Sequence, residues 1–523
     1  MSVRANRTTW LGTVGMGTEE SAEAVVPTSI PMGWATTGRA ESCMAGSRRR
    51  DSMDAERQQG MWYQPSLLEW GENQMRHAAS GDGGTEAAAG EVSQAFTALD
   101  RQRALTGNLM EQICERSNLN GAYKRVKANK GAAGVDGMTV SKLLGWLAEH
   151  KEELLSSLLD GTYRPQRVRG VQIPKAGGGK RQLGIPTVVD RLVQQAILQV
   201  LEPLIDPTFS EASYGFRPRR NAHEALRRGA DYVRAGRGIV VDIDVEKFFD
   251  RVNHDVLMAR LARRVSDKRL LRIVRCFLEA GMMQDGVCVE RHEGTPQGGP
   301  LSPLLANVLL DDLDKELERR GHCFCRYADD CNIYVQTMAA GERVMASVTQ
   351  FLEKKLRLRI NREKSAVAWV GERSFLGHRI LAGGRLVIAP KSLDHLKDRV
   401  REMTRRNRGV ALERVIQELN AFLPGWVTYF RYAEGKTHLR ETDEWIRRKL
   451  RCVRLKQRKR VKPIADFLMS LGVPDWRAWI LAGSGKGWWR LACSPQAHEA
   501  MSTAWFRKLG LVSLTERYAV LHP

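Results

Sequence analysis

The spacing of apolar residues changes character near Asn108. Before it, hydrophobic periodicity is weak, and Gly, Ser, Ala and Thr surround the break Gly81-Asp82-Gly83-Gly84. Such a stretch has too little apolar surface to offset the entropy of ordering a chain, so residues 1–105 are expected to form a mostly disordered extension. Short helices are expected there only near Pro65–Trp70 and Glu86–Thr97. From Met110 to Lys127, Ile113, Leu119, Tyr123 and Val126 recur at helical spacing. Gly131 and Gly134 end that run before the turn Val135-Asp136-Gly137, and Val140–Leu159 reads as a helix pair. Tyr163–Lys175 carries the β-branched markers Val168, Val171 and Ile173 and reads as strand. Asp190–Ile205 is amphipathic at helical period, through Leu192, Val193, Ala196, Ile197, Val200 and Leu201.

Two apolar strands with acids at their ends follow. Gly238–Asp244 is the first, and it is expected to run into a helix at Glu246–Val252. Cys323–Val335 is the second, a β-hairpin whose turn carries Ala328-Asp329-Asp330. A helix at Gly341–Leu356 and strands at Ala366–Trp369 and Arg379–Leu381 come next. From Leu393 onward the pattern is helical. The expected architecture is an α+β core followed by an α-helical domain.

Charge adds a partner to this picture. The 523 residues carry a net +22, with 82 Lys and Arg against 60 Asp and Glu. The excess is local: residues 1–100 are net −5, whereas residues 391–470 are net +11. Within the latter, Arg447, Arg448, Lys449, Arg451, Arg454, Lys456, Arg458, Lys459 and Arg460 follow one another without an interleaved acid. That is the footprint of a phosphate backbone. Arg447, Arg448, Arg451, Arg454 and Arg458 are the candidate nucleic-acid contacts, because the stripe Ile446, Leu450 and Val453 takes the apolar side of the same helix. No apolar run reaches the roughly 20 residues that cross a bilayer, and no signal-peptide core opens the chain. Nine scattered cysteines fit reduced thiols in a bacterial cytoplasm better than a disulfide framework.

Two adjacent carboxylates at a tight turn, Asp329 and Asp330, need a compensating charge, and a hard divalent cation suits their oxygens. Asp244, ending a neighbouring apolar strand, could complete a set able to hold two ions. Asp311-Asp312, by contrast, reads as a solvated pair on a helix face.

These residues sit inside a series of blocks. Tyr327-Ala328-Asp329-Asp330 matches the Y-x-D-D box of reverse transcriptases. Gly294–Asn307 resembles the Q-G-x-x-x-S-P block, and Asp244–Asp250 the D-x-x-x-F-F-D block. Ser213-Tyr214-Gly215-Phe216-Arg217-Pro218 with Asn221-Ala222-His223, and Ile173-Pro174-Lys175 with Lys180–Pro186, resemble blocks of group II intron enzymes. Asn361-Arg362-Glu363-Lys364 and Phe375-Leu376-Gly377-His378 continue the series in order, and Ala122–Lys127 with Gly134–Gly137 resembles the extra N-terminal block of non-retroviral enzymes. Over residues 108–520 the chain resembles the group II intron-encoded reverse transcriptase/maturases.

The resemblance implies a right-hand polymerase fold, with fingers and palm over 106–385, a thumb or maturase domain X over 390–470, and a small basic nucleic-acid-binding region over 471–523. It makes Asp244, Asp329 and Asp330 catalytic ligands of two Mg²⁺ ions, with the Val245 carbonyl as a further oxygen donor. Lys175 and Arg181 fall where fingers residues grip the triphosphate, Phe249 under the sugar, Gln297 in the nucleotide pocket, and Lys364 where it could protonate the leaving pyrophosphate. His223, His254 and His378 are expected to be structural. The implied partners are group II intron RNA, an RNA template, a DNA primer or target, and deoxynucleotides, with no membrane. The implied activities are RNA-directed DNA synthesis, assistance to splicing, and target-primed mobility.

Many relatives end in a zinc-bearing HNH nuclease, but this chain has no C-x-x-C, so no zinc and no second-strand cleavage are expected. Ser513–Tyr518 resembles the tail of the nuclease-less subclass. Trp476, Trp479, Trp488, Trp489 and Trp505 read as buried anchors rather than base-stacking platforms. The long leader departs from the family pattern, and Met53, Met61, Met75 and Met110 are alternative starts. Two other readings stay open. One is a splicing cofactor with a dead polymerase site, which three intact aspartates argue against. The other is a domesticated defence-system enzyme, which a fused integrase would mark.

Overall fold

The computed structural model describes residues 108–521, except 175–179, 285–286, 290–292 and 296–297. The expectations for the leader, for Lys175 and for Gln297 therefore lie outside the described residues.

The first helical run is broken. α1 (Leu109–Cys114) and α2 (Arg116–Ala128) are separated by Glu115, which is extended at φ −59° and ψ 137°. α3 (Leu143–Leu159) follows a short 3₁₀ turn. β1 (Val168–Pro174) and β2 (Lys180–Ile185) form a hairpin, and α4 (Val188–Ile205) starts where the Thr187 side chain accepts from the Asp190 N–H. α5 (Ala222–Arg234) starts in the same way, with the Asn221 side chain accepting from the Glu224 N–H. β3 (Ile239–Ile243) is buried along its whole length. No α-helix follows it. Lys247 turns left-handed at φ 47° and only a 3₁₀ turn, Phe248–Asp250, forms. The expectation of a helix at Glu246–Val252 fails because Val245 bridges to Ile360 and the Glu246 N–H is taken by the Arg359 carbonyl. Long-range pairing overrides the local pattern here.

α6 (His254–Leu261) and α7 (Lys268–Glu279) lead to a short hairpin, β4 (Met282–Gln284) and β5 (Val287–Val289). Then come α8 (Ser302–Arg319), the hairpin β6 (Cys323–Tyr327) and β7 (Asp330–Val335), α9 (Met338–Phe351), β8 (Ala366–Trp369), β9 (His378–Ile380) and β10 (Leu386–Ile388). The C-terminal part is helical: α10 (Pro390–Met403), α11 (Leu412–Tyr429), α12 (Lys436–Arg458), α13 (Val461–Ser470), α14 (Asp475–Ala482) and α15 (Trp488–Leu491). It ends with α16 (Pro495–Ala500), α17 (Thr503–Lys508) and α18 (Leu514–Leu521).

The central sheet has the order β6-β7-β3-β8 and is antiparallel throughout. A second sheet, β2-β1-β4-β5, pairs β1 with β4 in parallel. One apolar core joins α1–α4 and α6–α9 to one side of the central sheet. The other joins α5 and residues of β6, β7, β9 and β10 to the C-terminal helices, with the Trp426 and Phe430 rings tilted against each other at 4.5 Å inside it. Residues 471–521 share that core and are not a separate lobe. Asp443 on α12 caps α18 by accepting from Leu514, Thr515 and the Ser513 hydroxyl.

The β6–β7 turn rests on a buried ion pair. Arg326 and Asp314 side chains are both 0% exposed and meet at 2.6 Å. The same guanidinium donates to Asn307, to the Ser213 hydroxyl and to the Ala328 carbonyl at 2.7 Å. Asn307 in turn donates to the Gly215 carbonyl. Ala328 sits at φ 60°, a region that costs a non-glycine residue about 1–2 kcal/mol. A Cβ on Gly215 would lie 2.1 Å from the Ala328 nitrogen, so only glycine lets the two backbones approach. Asp311, read from sequence as solvated, is buried against Arg264, and Asp312 pairs with Arg260 at 2.9 Å. α8 faces the core on one side and these arginines on the other.

Asp314→Ala would strand a buried guanidinium. It is expected to lower the unfolding free energy by about 3–5 kcal/mol in urea denaturation. The double variant Asp314→Leu with Arg326→Met should recover most of that loss. A drop below 1 kcal/mol for the single variant would show that the pair does not hold the hairpin.

Candidate polymerase site

Antiparallel register brings the predicted acids together. Ile243 pairs with Cys331 and Asp242 with Asn332, so Asp244, one residue beyond the end of β3, stands across from Asp330 at the start of β7. Asp329 lies in the adjoining β6–β7 turn. Electrostatics reports the same proximity. Burial pushes the Asp330 carboxyl well above the usual carboxylate range, the charges of Asp242, Asp329 and Asp244 push it further, and Arg373 opposes them. Among the described residues no group of three or more His, Cys, Asp and Glu side chains is drawn into a closed ion cage. The donor chemistry nonetheless fits a hard divalent cation: mutually repelling carboxylate oxygens on two strand ends, with one acid buried.

The backbone of Asp244 is clamped. Its N–H donates to the Ser365 hydroxyl at 2.9 Å and its carbonyl accepts from the Asn361 N–H at 2.9 Å. Val245 is buried beside it and bridges to Ile360. The 361–365 turn carries Lys364, whose N–H donates to the Asn361 carbonyl. Lys364 is 6% exposed, and its ammonium is pushed down to about 8, first by burial and then by the charge of Lys391. Lys364 is thus placed on the support of Asp244.

Phe249 is half-buried, its ring edge-on to Phe248 at 5.2 Å. Its carbonyl accepts from Thr295 at 2.7 Å, and Gly294 donates to Val252 while its own carbonyl bonds His254 Nε2 at 2.7 Å. The Gly294–Thr295 segment is therefore pinned to the Phe248–Asp250 turn, and His254 is a structural pin. His223 reaches the Tyr429 carbonyl at 2.7 Å, joining α5 to α11. His378 is fully buried beside Tyr429 and Phe430. Arg181 lies on β2 opposite Ile173. The structure brings Asp244, Asp329, Asp330 and Lys364 into one neighbourhood and sets the Phe249 turn next to β3.

The basic helix divides in two. Arg451 is 4% exposed and donates to the Met501 carbonyl at 3.0 Å, so its assignment to an RNA surface is corrected. Its position sits between Leu450 and Cys452, where α12 meets the last helices. Arg454 packs over Phe467 at 5.1 Å and lies 3.8 Å from Glu413. Arg448 covers Trp489 at 3.7 Å and donates to its carbonyl, and Arg458 covers Phe467 at 4.7 Å. Arg447 is half-exposed, and Lys459 and Arg460 are exposed. Three tryptophans expected to be buried anchors are not: Trp476 is 66% exposed, Trp479 41% and Trp489 37%.

Sequence reasoning missed Asp242 as part of the site. It pairs with Arg373 at 2.7 Å, close beneath Asp244. The signal was the Asp-Ile-Asp alternation, which puts both acids on one face of β3.

The family described as reverse transcriptase (RNA-dependent DNA polymerase) matches residues 173–380, and the group II intron maturase-specific domain matches residues 393–471. The chain is 33% identical over 314 residues to protein YkfC of Escherichia coli (strain K12), spanning 52% of this chain and 82% of that protein. It is 38% identical over 195 residues to the group II intron-encoded protein LtrA of Lactococcus lactis subsp. cremoris, spanning 37% of this chain and 32% of LtrA. A chain of a partial Cas6-RT-Cas1–Cas2 complex is 26% identical, with a TM-score of 0.32 and coverage of 47% of this chain and 43% of that one. With a polymerase domain of the right-hand α+β type followed by a maturase-specific domain, the chain belongs to the group II intron-encoded reverse transcriptase/maturase family.

Proposed function

We propose that Asp244, Asp329 and Asp330 hold two divalent cations, with the Val245 carbonyl as an added donor, and that this site copies RNA into DNA. The observation that carries the reading is the register that sets Asp244 across from Asp330. The cations, when bound, supply the positive charge that stabilises attacking and leaving oxygens. The chain's own residues do the rest. The reaction joins a primer 3′-hydroxyl to the α-phosphate of a deoxynucleotide and releases pyrophosphate. Positioning and charge neutralisation supply most of the rate in such transfers. On the family resemblance, Phe249 is assigned to exclude a 2′-hydroxyl from the sugar site, Lys175 and Arg181 to grip the triphosphate and Gln297 to the nucleotide pocket, the last three side chains lying outside the described residues. Lys364 donates a proton to the departing pyrophosphate, which its depressed pKa suits.

The maturase-specific match and the cationic α12 support binding of intron RNA, with Arg447, Arg448 and Arg458 as contacts and Arg454 at the margin. Assistance to splicing and target-primed mobility follow from that pairing of RNA capture with DNA synthesis. A bacterial cytoplasmic location accords with such RNA partners, and among the described residues no helix is long and apolar enough to cross a membrane.

Asp329→Ala should abolish primer extension on an RNA template in Mg²⁺ while leaving RNA affinity within about twofold. Equal extension by variant and wild type would end the ligand assignment.

The Lys364 role has a sign. Its ammonium is protonated below about 8, so single-turnover incorporation should fall as pH rises through that value. Lys364→Arg, whose guanidinium stays charged, should remove this alkaline limb. A limb unchanged in Lys364→Arg would exclude Lys364 as the acid.

Reversal of Arg447, Arg448 and Arg458 to Glu should weaken intron RNA binding by 10-fold or more, roughly, at moderate salt and flatten its salt dependence. Arg451→Glu should instead unfold the C-terminal helices. Filter binding at several salt concentrations, paired with thermal melts, separates the two, and undiminished binding by the triple variant would move the RNA surface off α12.

A further inference from the structure

Arg373 stands where three supports of the site meet. Its Nε donates to Asp242 at 2.8 Å, and its terminal nitrogen approaches the same carboxylate at 2.7 Å. That nitrogen also donates to the Lys364 carbonyl. Asp242 is 4% exposed and shares a face of β3 with Asp244. Lys364 belongs to the turn whose Asn361 and Ser365 hold the two backbone groups of Asp244. One planar fork thus ties the interior of β3 to the turn that fixes both Asp244 and Lys364. Lysine, a point donor, could not span both partners.

The charge balance points the same way. Asp242, Asp244, Asp329 and Asp330 crowd one end of the sheet, and Arg373 is the cation that opposes them at Asp330. A buried acid two residues from Asp244 would add to that repulsion if it were unpaired. Neutralised by Arg373, it becomes an anchor instead.

We propose that Arg373, held by Asp242, is a positioning residue for nucleotide addition: it fixes the 361–365 turn so that Lys364 and Asp244 keep one mutual geometry. This rests on the polymerase reading above and on the role given there to Lys364. The Arg373 guanidinium is engaged by Asp242 and the Lys364 carbonyl, so its loss should act on the rate of the bound complex rather than on binding.

The test is single-nucleotide incorporation on a primed RNA template, with melting temperature and primer–template affinity measured in parallel. Arg373→Gln is expected to lower kcat by about 10- to 100-fold, the usual range for an outer-shell partner, with KM for the deoxynucleotide within about twofold. Arg373→Lys should recover part of the rate. Arg373→Gln combined with Lys364→Ala should be no slower than the slower single variant, because both act through one turn. Multiplicative losses in that double variant would overturn the proposal. So would a wild-type kcat in Arg373→Lys, or a fall in template affinity matching the fall in rate. If Arg373→Gln does not fold, Arg373→Lys decides alone. Lys364→Ala at full rate would overturn the role of Lys364. The proposal would then stand or fall on whether Asp242→Asn adds to the loss in Arg373→Gln: no added loss supports it, and an independent loss ends it.

Discussion

The buried pair Arg326–Asp314 is the constraint on which the polymerase corner depends. A hairpin turn with a left-handed alanine followed by two adjacent acids is locally unfavourable. Its cost is met by a guanidinium that binds the turn's own carbonyl and is itself held by α8. Because both charges are fully desolvated, the pair contributes little net stability compared with an apolar substitute, but removing either partner is expensive. Such a device selects one geometry. The Gly215 backbone lies against the turn, Asn307 bonds both Gly215 and Arg326, and the Tyr214 N–H donates to the Arg326 carbonyl. Three blocks far apart in sequence therefore define the position of two carboxylates.

A second arginine manages the opposite problem. The corner concentrates acids, so without counter-charge the folded state would favour their protonation. Arg373 supplies a fixed charge at the inner end of the cluster and leaves the outer acids to whatever cation the reaction brings. The two arginines divide the work by depth. Arg326 shapes the turn from beneath α8, whereas Arg373 connects β3 to the 361–365 turn from the side. Neither contacts the proposed reacting atoms, yet both set where those atoms can be.

Much of this was legible in the chain because strand chemistry is local. The apolar run ending in Asp244 and the Cys323–Val335 hairpin are short apolar segments with acids at their ends, and β8 falls at Ala366–Trp369 as expected. What failed was long-range. A helix is expected over 246–252, but the Glu246 N–H is taken by the Arg359 carbonyl and Val245 bridges to Ile360. Asp311 looks solvated in any local window, yet it is buried where Arg264, in the turn after α6, pairs with it. Arg451 reads as one cation in a run. Its burial is set by helices some 50 residues later, which no periodicity within α12 can report. The Asp242–Arg373 pair spans 131 residues and was hidden for the same reason.

The basic helix shows how one element can serve a core and a polyanion together. Ile446, Leu450 and Val453 give α12 its apolar seam, and Arg451, on the buried side, ties it to the last helices through a main-chain carbonyl. Arg448, Arg454 and Arg458 lay their guanidinium planes on Trp489 and Phe467, covering apolar surface while their charge stays near solvent. Rings and cations at these positions are mutually dependent. Removing Trp489 would free Arg448 without adding charge, and removing Arg448 would bare an aromatic face. On the RNA-binding reading proposed for this helix, a phosphate would meet guanidinium groups already restricted in orientation, so less side-chain entropy would be lost on contact than in a flexible lysine patch. The same core continues to β9, β10 and the edge of the central sheet. α12 and the sheet that carries the carboxylates are thereby parts of one close-packed core.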